Sequence, residues 1–116
     1  MGTQCIVAYK DKKDNIVASI VRHDGYITDG VGDALKNNYT SPEDAKWVAS
    51  LGNRDHLTIP PEKSVYKLIS EKGLEDFEAH YSQKEDIAFI FIYINGIWYY
   101  KAPNMGEDGW LELWKF

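Results

Sequence analysis

The feature that most limits the fold of this chain is an unbroken apolar run, IAFIFIYI, at residues 87–94. It is followed by the dipeptide Asn95-Gly96 and by a second strand-forming run, IWYYK. Asn-Gly readily takes the two positive φ values of a tight type I′ turn, so the segment predicts a β-hairpin. Because the first strand of this hairpin is apolar on both faces, both faces must be covered, which predicts an interior strand.

A second hairpin is predicted at the N-terminus. The segments TQCIVAY (3–9) and IVASIVRH (16–23) are rich in strand formers and flank the polar turn KDKKDN. The C-terminal segment WLELWKF alternates loosely and predicts an edge strand. Together with the hairpin at 87–101, these segments predict an antiparallel sheet of about five strands.

Helices are expected between the two hairpins. Apolar residues recur at helical spacing over 31–39. Ser41 can cap the next helix, predicted over 42–51, and Pro42 suits its first position. The periodicity of the following residues predicts two more helices, at 61–72 and 74–81.

A length of 116 residues allows one hydrophobic core. We therefore predict a single α+β domain, residues 1–116, in which an antiparallel sheet packs against three or four helices. The helices can cover one face of the apolar strand. The other face needs the C-terminal aromatic residues, a second sheet or another subunit, and a homo-oligomer is one predicted solution.

Charge and cysteine content argue against several classes of partner. The chain has 13 basic and 18 acidic residues, and this net charge of −5 disfavours nucleic acid, which needs a basic surface. Cys5 is the one cysteine, and no signal sequence is recognised, so we expect a cytoplasmic protein. No apolar run approaches the ~20 residues of a membrane span. The charged cluster at 10–13 is interpreted as a solvated turn.

The loop that follows the N-terminal hairpin provides the first candidate binding site. An imidazole beside a carboxylate at a strand end, with glycines that allow close backbone approach, is typical of ligand sites, and exposed aromatic rings can anchor a partner. The same Asp-Gly chemistry also forms ordinary turns, which is the structural alternative. The predicted binding residues are His23, Asp24, Gly25, Tyr26, Gly30, Gly32, Trp98 and Trp110.

A catalytic alternative uses Cys5 as a nucleophile with His23 and Asp24, in which the imidazole lowers the pKa of the thiol. Against it, Cys5 lies mid-strand among apolar residues, and a plausible hairpin register places it opposite Ile20. The histidines and carboxylates show no recognised metal-ligand spacing, so no metal or cofactor is predicted. The segment GVG at 30–32 has an incomplete phosphate-loop pattern flanked by aspartates.

Three segments resemble a family of small uncharacterised proteins of tailed bacteriophages. That family has an initial M-G-T-R, an H-W-D-G-Y-x-x-x-V-G segment and an L-G-x-x-x-x-L segment, which correspond here to residues 1–4, 23–32 and 51–57. Gln4 stands in place of the arginine, and the aromatic residue between His23 and Asp24 is absent. The family has no assigned activity, so the resemblance implies a phage accessory protein.

The leading hypothesis is therefore a non-catalytic, phage-encoded binding protein in the host cytoplasm. It would engage a host protein, such as a defence protein, or sequester a small ligand, with no nucleic-acid or membrane partner. The alternative is a small hydrolase or transferase that uses Cys5, His23 and Asp24. A purely structural or assembly protein is the third hypothesis.

Overall fold

The computed structural model describes residues 4–21, 26, 30–50, 69–73, 77, 87–102 and 110–113. The first half contains strands β1 (Gln4–Lys10) and β2 (Asn15–Val21), then helices α1 (Val31–Asn38) and α2 (Pro42–Ala49). The second half contains strands β3 (Ile69–Lys72), β4 (Ile87–Ile94), β5 (Ile97–Lys101) and the two-residue β6 (Leu111–Glu112). They form a six-stranded sheet in the order β3-β2-β1-β4-β5-β6. Neither helix in these parts of the chain is long and apolar enough to cross a bilayer.

The sheet is mixed, and the predicted purely antiparallel sheet was wrong. β1 and β4 are parallel neighbours at the centre, with Cys5 opposite Phe89 and Tyr9 opposite Tyr93. The other strand pairs are antiparallel, including both predicted hairpins. An apolar run without alternation is itself typical of parallel strands that are covered on both faces. The Asn-Gly turn fixes only one edge of β4, so the direction of the strand on its other edge was open.

Two helices are described, where three or four were predicted. α1 and α2 confirm the helices expected at 31–39 and 42–51. Residues 69–72 of the predicted helix at 61–72 instead form β3, which pairs with β2. Pairing satisfies the backbone groups on the outer edge of β2, and this outweighs the weak local preference for helix. The predicted helix at 74–81 lies outside the described residues except for Phe77, which is helical.

Helix α2 begins as the sequence predicts. The Ser41 hydroxyl oxygen accepts a hydrogen bond from the backbone N–H of Asp44 at 3.1 Å, and Pro42 occupies the first turn. Proline costs no hydrogen bond there, because the first-turn N–H groups have no partner within the helix. The helix start is therefore fixed beside the ends of β1 and β4, where the candidate site lies.

Both faces of the sheet are buried within one chain. One face packs against α1 and α2 through a first cluster that includes Cys5, Val7, Leu35, Val48, Phe91 and Tyr93. The opposite face forms a second cluster that includes Ile6, Ala8, Ile16, Phe77, Ile90 and Ile92. The second face therefore does not need another subunit to cover it, and the homo-oligomer stays a prediction.

Among the described residues, Ser19 is the one polar residue that is buried. Its hydroxyl donates a hydrogen bond to the backbone carbonyl of Ala49 at 2.8 Å. Carbonyls in the last turn of a helix have no partner within it. Replacing Ser19 with alanine leaves this carbonyl without that donor in a dry environment, so we expect the free energy of unfolding to fall by about 1–3 kcal/mol. Urea denaturation measures this change.

Ser50→Ala is the matched control. The Ser50 hydroxyl also donates to a helix carbonyl, that of Lys46 at 2.5 Å, but the bond is exposed and water can replace it. We expect a loss below about 0.5 kcal/mol. Equal losses in the two variants would show that the bond from Ser19 does not tie α2 to the sheet.

Candidate functional site

The candidate site lies at the end of the sheet where the parallel strands β1 and β4 finish. The turn Asn95-Gly96 follows β4, and the junction between α1 and α2 packs beside it, because the Tyr93 hydroxyl donates to the carbonyl of Thr40 at 2.9 Å. In open parallel sheets, ligands bind beyond the carboxyl ends of the strands. This chain places two hollows at the equivalent position.

The larger hollow, which we call the lysine cleft, has a volume of about 350 Å³. Its walls come from the ends of β1 and β4, from the two hairpin turns and from the start of α2. The lining residues are Tyr9, Lys10, Lys12, Pro42, Tyr93, Asn95 and Gly96.

The smaller hollow, which we call the Trp98 pocket, has a volume of about 260 Å³. It lies between the end of α1 and the start of β5 and is lined by Lys36, Thr40, Gly96, Ile97 and Trp98. Gly96 lines both hollows, so they adjoin at the β4–β5 turn.

A connected set of aromatic rings forms the wall behind both hollows. Tyr9 stacks on Tyr93 with ring centroids 6.0 Å apart, and Tyr93 meets Trp98 edge to face at 5.3 Å. The Trp98 indole N–H donates to the carbonyl of Tyr39 at 2.7 Å. Burial, with a smaller contribution from Tyr9, raises the pKa of Tyr93, so its hydroxyl keeps the proton that it donates to Thr40. The wall is therefore held by packing and by directed hydrogen bonds.

The charged side chains among the described residues that line the two hollows are lysines. None of the described residues that line them is acidic. Lys10 lies 3.7 Å from Asp14, and Lys36 lies 3.4 Å from Asp33, while Lys12 has no ion pair within the described part of the chain. The sequence as a whole is acidic, yet the charged side chains among the described lining residues are all basic, and Lys12 is the one of them without an ion pair in this part of the chain.

The turn that carries Lys12 is held by the Asp11 carboxylate. One of its oxygens accepts from the backbone N–H groups of Lys13 and Asn15, both at 2.9 Å. These bonds lower the pKa of the Asp11 carboxyl, and the bond from the backbone N–H of Asn15 contributes most. Asp14, with φ of 65°, completes the turn in the left-handed region that aspartate tolerates. Lys12 therefore projects from an ordered turn.

The structure places the predicted binding residues at several different positions. His23, Asp24 and Gly25 lie outside the described residues. Tyr26 is 50% exposed, and its carbonyl accepts from the N–H of Gly32 at 2.9 Å, next to Gly30 at the start of α1.

The two predicted tryptophans lie on opposite faces of the sheet. Trp98 belongs to the first cluster and lines the Trp98 pocket, whereas Trp110 packs against the second cluster, with Lys101 5.9 Å from its ring centroid. The structure therefore does not bring them into one binding surface.

Cys5 lies in the first core cluster with none of its surface exposed. It pairs with Val21 rather than with Ile20, so the predicted register was wrong by one residue. Burial raises the pKa of its thiol well above the usual value. A nucleophilic cysteine needs access and a thiolate, and this environment opposes both. The described residues also contain no group of three or more His, Cys, Asp or Glu side chains that could hold a metal ion.

The lysine cleft was missed by the sequence analysis because the cluster at 10–13 was interpreted as a solvated turn. The available signal was the tyrosine near the end of each strand, Tyr9 before one hairpin turn and Tyr93 before the other. Their proximity depends on the parallel pairing of β1 with β4.

Comparison with protein-family models, with curated proteins and with solved structures gives no match. The resemblance to small phage proteins stays a prediction, and the candidate site rests on its geometry and charge.

Proposed function

We propose that this protein is a non-catalytic binding protein that holds a small anionic ligand in the lysine cleft. The observation that carries the proposal is a cleft lined by Lys10 and Lys12, with no carboxylate among its described lining residues, in a chain of net charge −5. As a phage accessory protein, it would sequester a small molecule of the host.

The size and rigidity of the cleft support a small ligand. Small-molecule sites usually occupy roughly 300–1,000 Å³, and the lysine cleft has about 350 Å³. Its wall is fixed by the hydrogen bond from Tyr93 to Thr40 and by the stacking of Tyr9 on Tyr93. A preformed wall lowers the entropy cost of binding.

The charges support an anion. The Lys10 and Asp14 side chains are 22% and 49% exposed, so water still screens their ion pair, and such pairs are worth only about 1 kcal/mol or less. A ligand anion can therefore compete for Lys10 and also bind Lys12. The lining residues offer binding groups rather than a nucleophile beside a base, which supports a non-catalytic role.

The test uses 1-anilinonaphthalene-8-sulfonate, a planar aromatic anion that fluoresces in apolar sites. Lys12→Gln removes a positive charge from the cleft, and we expect the dissociation constant to rise about tenfold at low salt. Lys13→Gln is the matched control, because it removes the same charge from the same turn but does not line the cleft. Fluorescence titration measures both affinities.

A variant with the opposite sign completes the test. Asp14→Asn removes the carboxylate 3.7 Å from Lys10, and asparagine tolerates the positive φ at this position, so we expect binding to tighten about two- to threefold. Equal weakening by Lys12→Gln and Lys13→Gln would indicate a general effect of surface charge and would contradict the site.

A second candidate function is the binding of a host protein through the loop at 23–33. Tyr26 supports it, because half of this aromatic residue is exposed while its carbonyl is anchored by Gly32. Tyr26→Ala should reduce capture of such a protein from bacterial lysate at least fivefold, since a central aromatic anchor is worth about 1–2 kcal/mol or more. Binding of the anionic dye should not change. Unchanged capture by the variant would remove the loop from the interface.

A further inference from the structure

We infer that the lysine cleft and the Trp98 pocket are two compartments of one site, which binds a nucleoside carrying two separated phosphate groups. This inference rests on the proposed function and names the class of its ligand. It adds Lys36 and Gly96 as residues that determine specificity.

Gly96 is the residue that joins the two compartments. It lines both of them and has φ of 86°, in the region that favours glycine. A Cβ atom at this position would have the Tyr93 hydroxyl oxygen, 3.9 Å away, as its nearest contact. This distance is an ordinary van der Waals contact and no other described residue beyond its chain neighbours comes as close, so the surface beside the turn is uncrowded where the two compartments adjoin.

Each compartment has its own lysine charge. Lys12 and Lys10 serve the lysine cleft, and Lys36 serves the Trp98 pocket. The Lys36 side chain is 18% exposed and lies 3.4 Å from Asp33, so its position is restricted by packing and by an ion pair. Two cationic positions, one in each of the compartments that share Gly96, fit a ligand with two anionic groups rather than one.

Aromatic residues line both compartments. Tyr9, Tyr93 and Trp98 form consecutive ring contacts behind the two compartments. Tyr93 and Trp98 are buried, so the ring most available to a ligand is that of the half-buried Tyr9, which lines the lysine cleft. Planar nucleobases stack on exposed aromatic rings with little dependence on which base it is. A nucleoside supplies a planar base for the ring of Tyr9, and its sugar carries phosphates on two sides, one for the lysine charge of each compartment.

The experiment compares adenosine 5′-monophosphate with adenosine 3′,5′-bisphosphate by isothermal titration calorimetry at low salt. We expect the bisphosphate to bind about tenfold more tightly. Lys36→Gln should abolish this difference and leave the affinity for the monophosphate unchanged. Lys12→Gln should weaken the binding of both nucleotides. Asp33→Asn, which removes the carboxylate beside Lys36, should tighten binding of the bisphosphate alone.

Each contrary result has a definite meaning. Equal affinity for the two nucleotides, or a bisphosphate preference that survives Lys36→Gln, would overturn the two-compartment site and leave the lysine cleft intact. If neither nucleotide binds while the fluorescent dye still responds to Lys12→Gln, the nucleoside class is wrong and the proposed function stands. Unchanged urea midpoints for the lysine variants show that the fold is preserved.

Discussion

Replacing Phe91 with alanine should lower the free energy of unfolding by about 3–5 kcal/mol. Phe91 is fully buried in β4, where it lies opposite Val7 of β1 and Tyr100 of β5. The substitution removes a ring from the first core cluster and leaves a cavity that the paired strands cannot close. Because small domains have only about 5–15 kcal/mol of net stability, we expect a large fall in the urea midpoint.

Phe89→Ala is the matched control for this prediction. Phe89 lies two residues earlier on the same face of β4, with its ring centroid 6.1 Å from that of Phe91, but it is only partly buried. We expect at most half the loss of stability, since less apolar surface becomes exposed to water. Equal losses of stability in Phe89→Ala and Phe91→Ala would contradict the prediction that Phe91 lies at the centre of the first cluster.

Cys5 should react with iodoacetamide at least about a thousandfold more slowly in the folded protein than in the unfolded chain. None of its surface is exposed, and burial raises the pKa of the thiol, so the reactive thiolate is scarce and unreachable. Reaction then requires unfolding, and a stability of 5 kcal/mol or more suppresses the unfolded population by over about three orders of magnitude. Phe91→Ala should increase the unfolded population and therefore raise the labelling rate of Cys5 by roughly a hundredfold or more over that of the unaltered protein.

Burial of the Cys5 thiol also gives the pH dependence of folding stability a defined sign. In the unfolded chain the thiol ionises near its ordinary pKa of 9.0, whereas in the fold its pKa is raised and it keeps its proton. The unfolded state therefore binds fewer protons above about pH 9, and stability falls as the pH rises through that value. Cys5→Ala should remove this contribution. Rapid labelling at neutral pH without denaturant would instead return the thiol, with His23 and Asp24, to the candidates for catalysis.

The predictions that were confirmed depended on local chemistry. Ser41 and Pro42 specify the start of α2, and Asn95-Gly96 specifies the β4–β5 hairpin, whatever the rest of the chain does. Residues 69–72 show the opposite case. The segment ISEK contains good helix formers, and it is a strand because the edge of β2 at Asn15–Ala18 is available for pairing. That edge cannot be recognised from the segment itself.

The candidate site could be predicted only in fragments for the same reason. Its turns are local, since Asp11 holds one and Asn95-Gly96 forms the other. Its ligand-binding character requires Tyr9 next to Tyr93, which depends on the parallel pairing of two distant strands. An apolar strand shows that both its faces are covered, but it does not show which strand lies beside it.

The pairing of β1 with β4 also determines the order in which the chain can fold on the ribosome. The β1–β2 hairpin can form early, but the other edge of β1, from Gln4 to Tyr9, waits for residues 87–93. At roughly 5–20 residues per second, synthesis leaves this apolar edge without its partner for several seconds. Contacts so distant in sequence slow folding, and an unpaired edge favours aggregation. A nascent chain of this protein is therefore most vulnerable just before its fourth strand emerges.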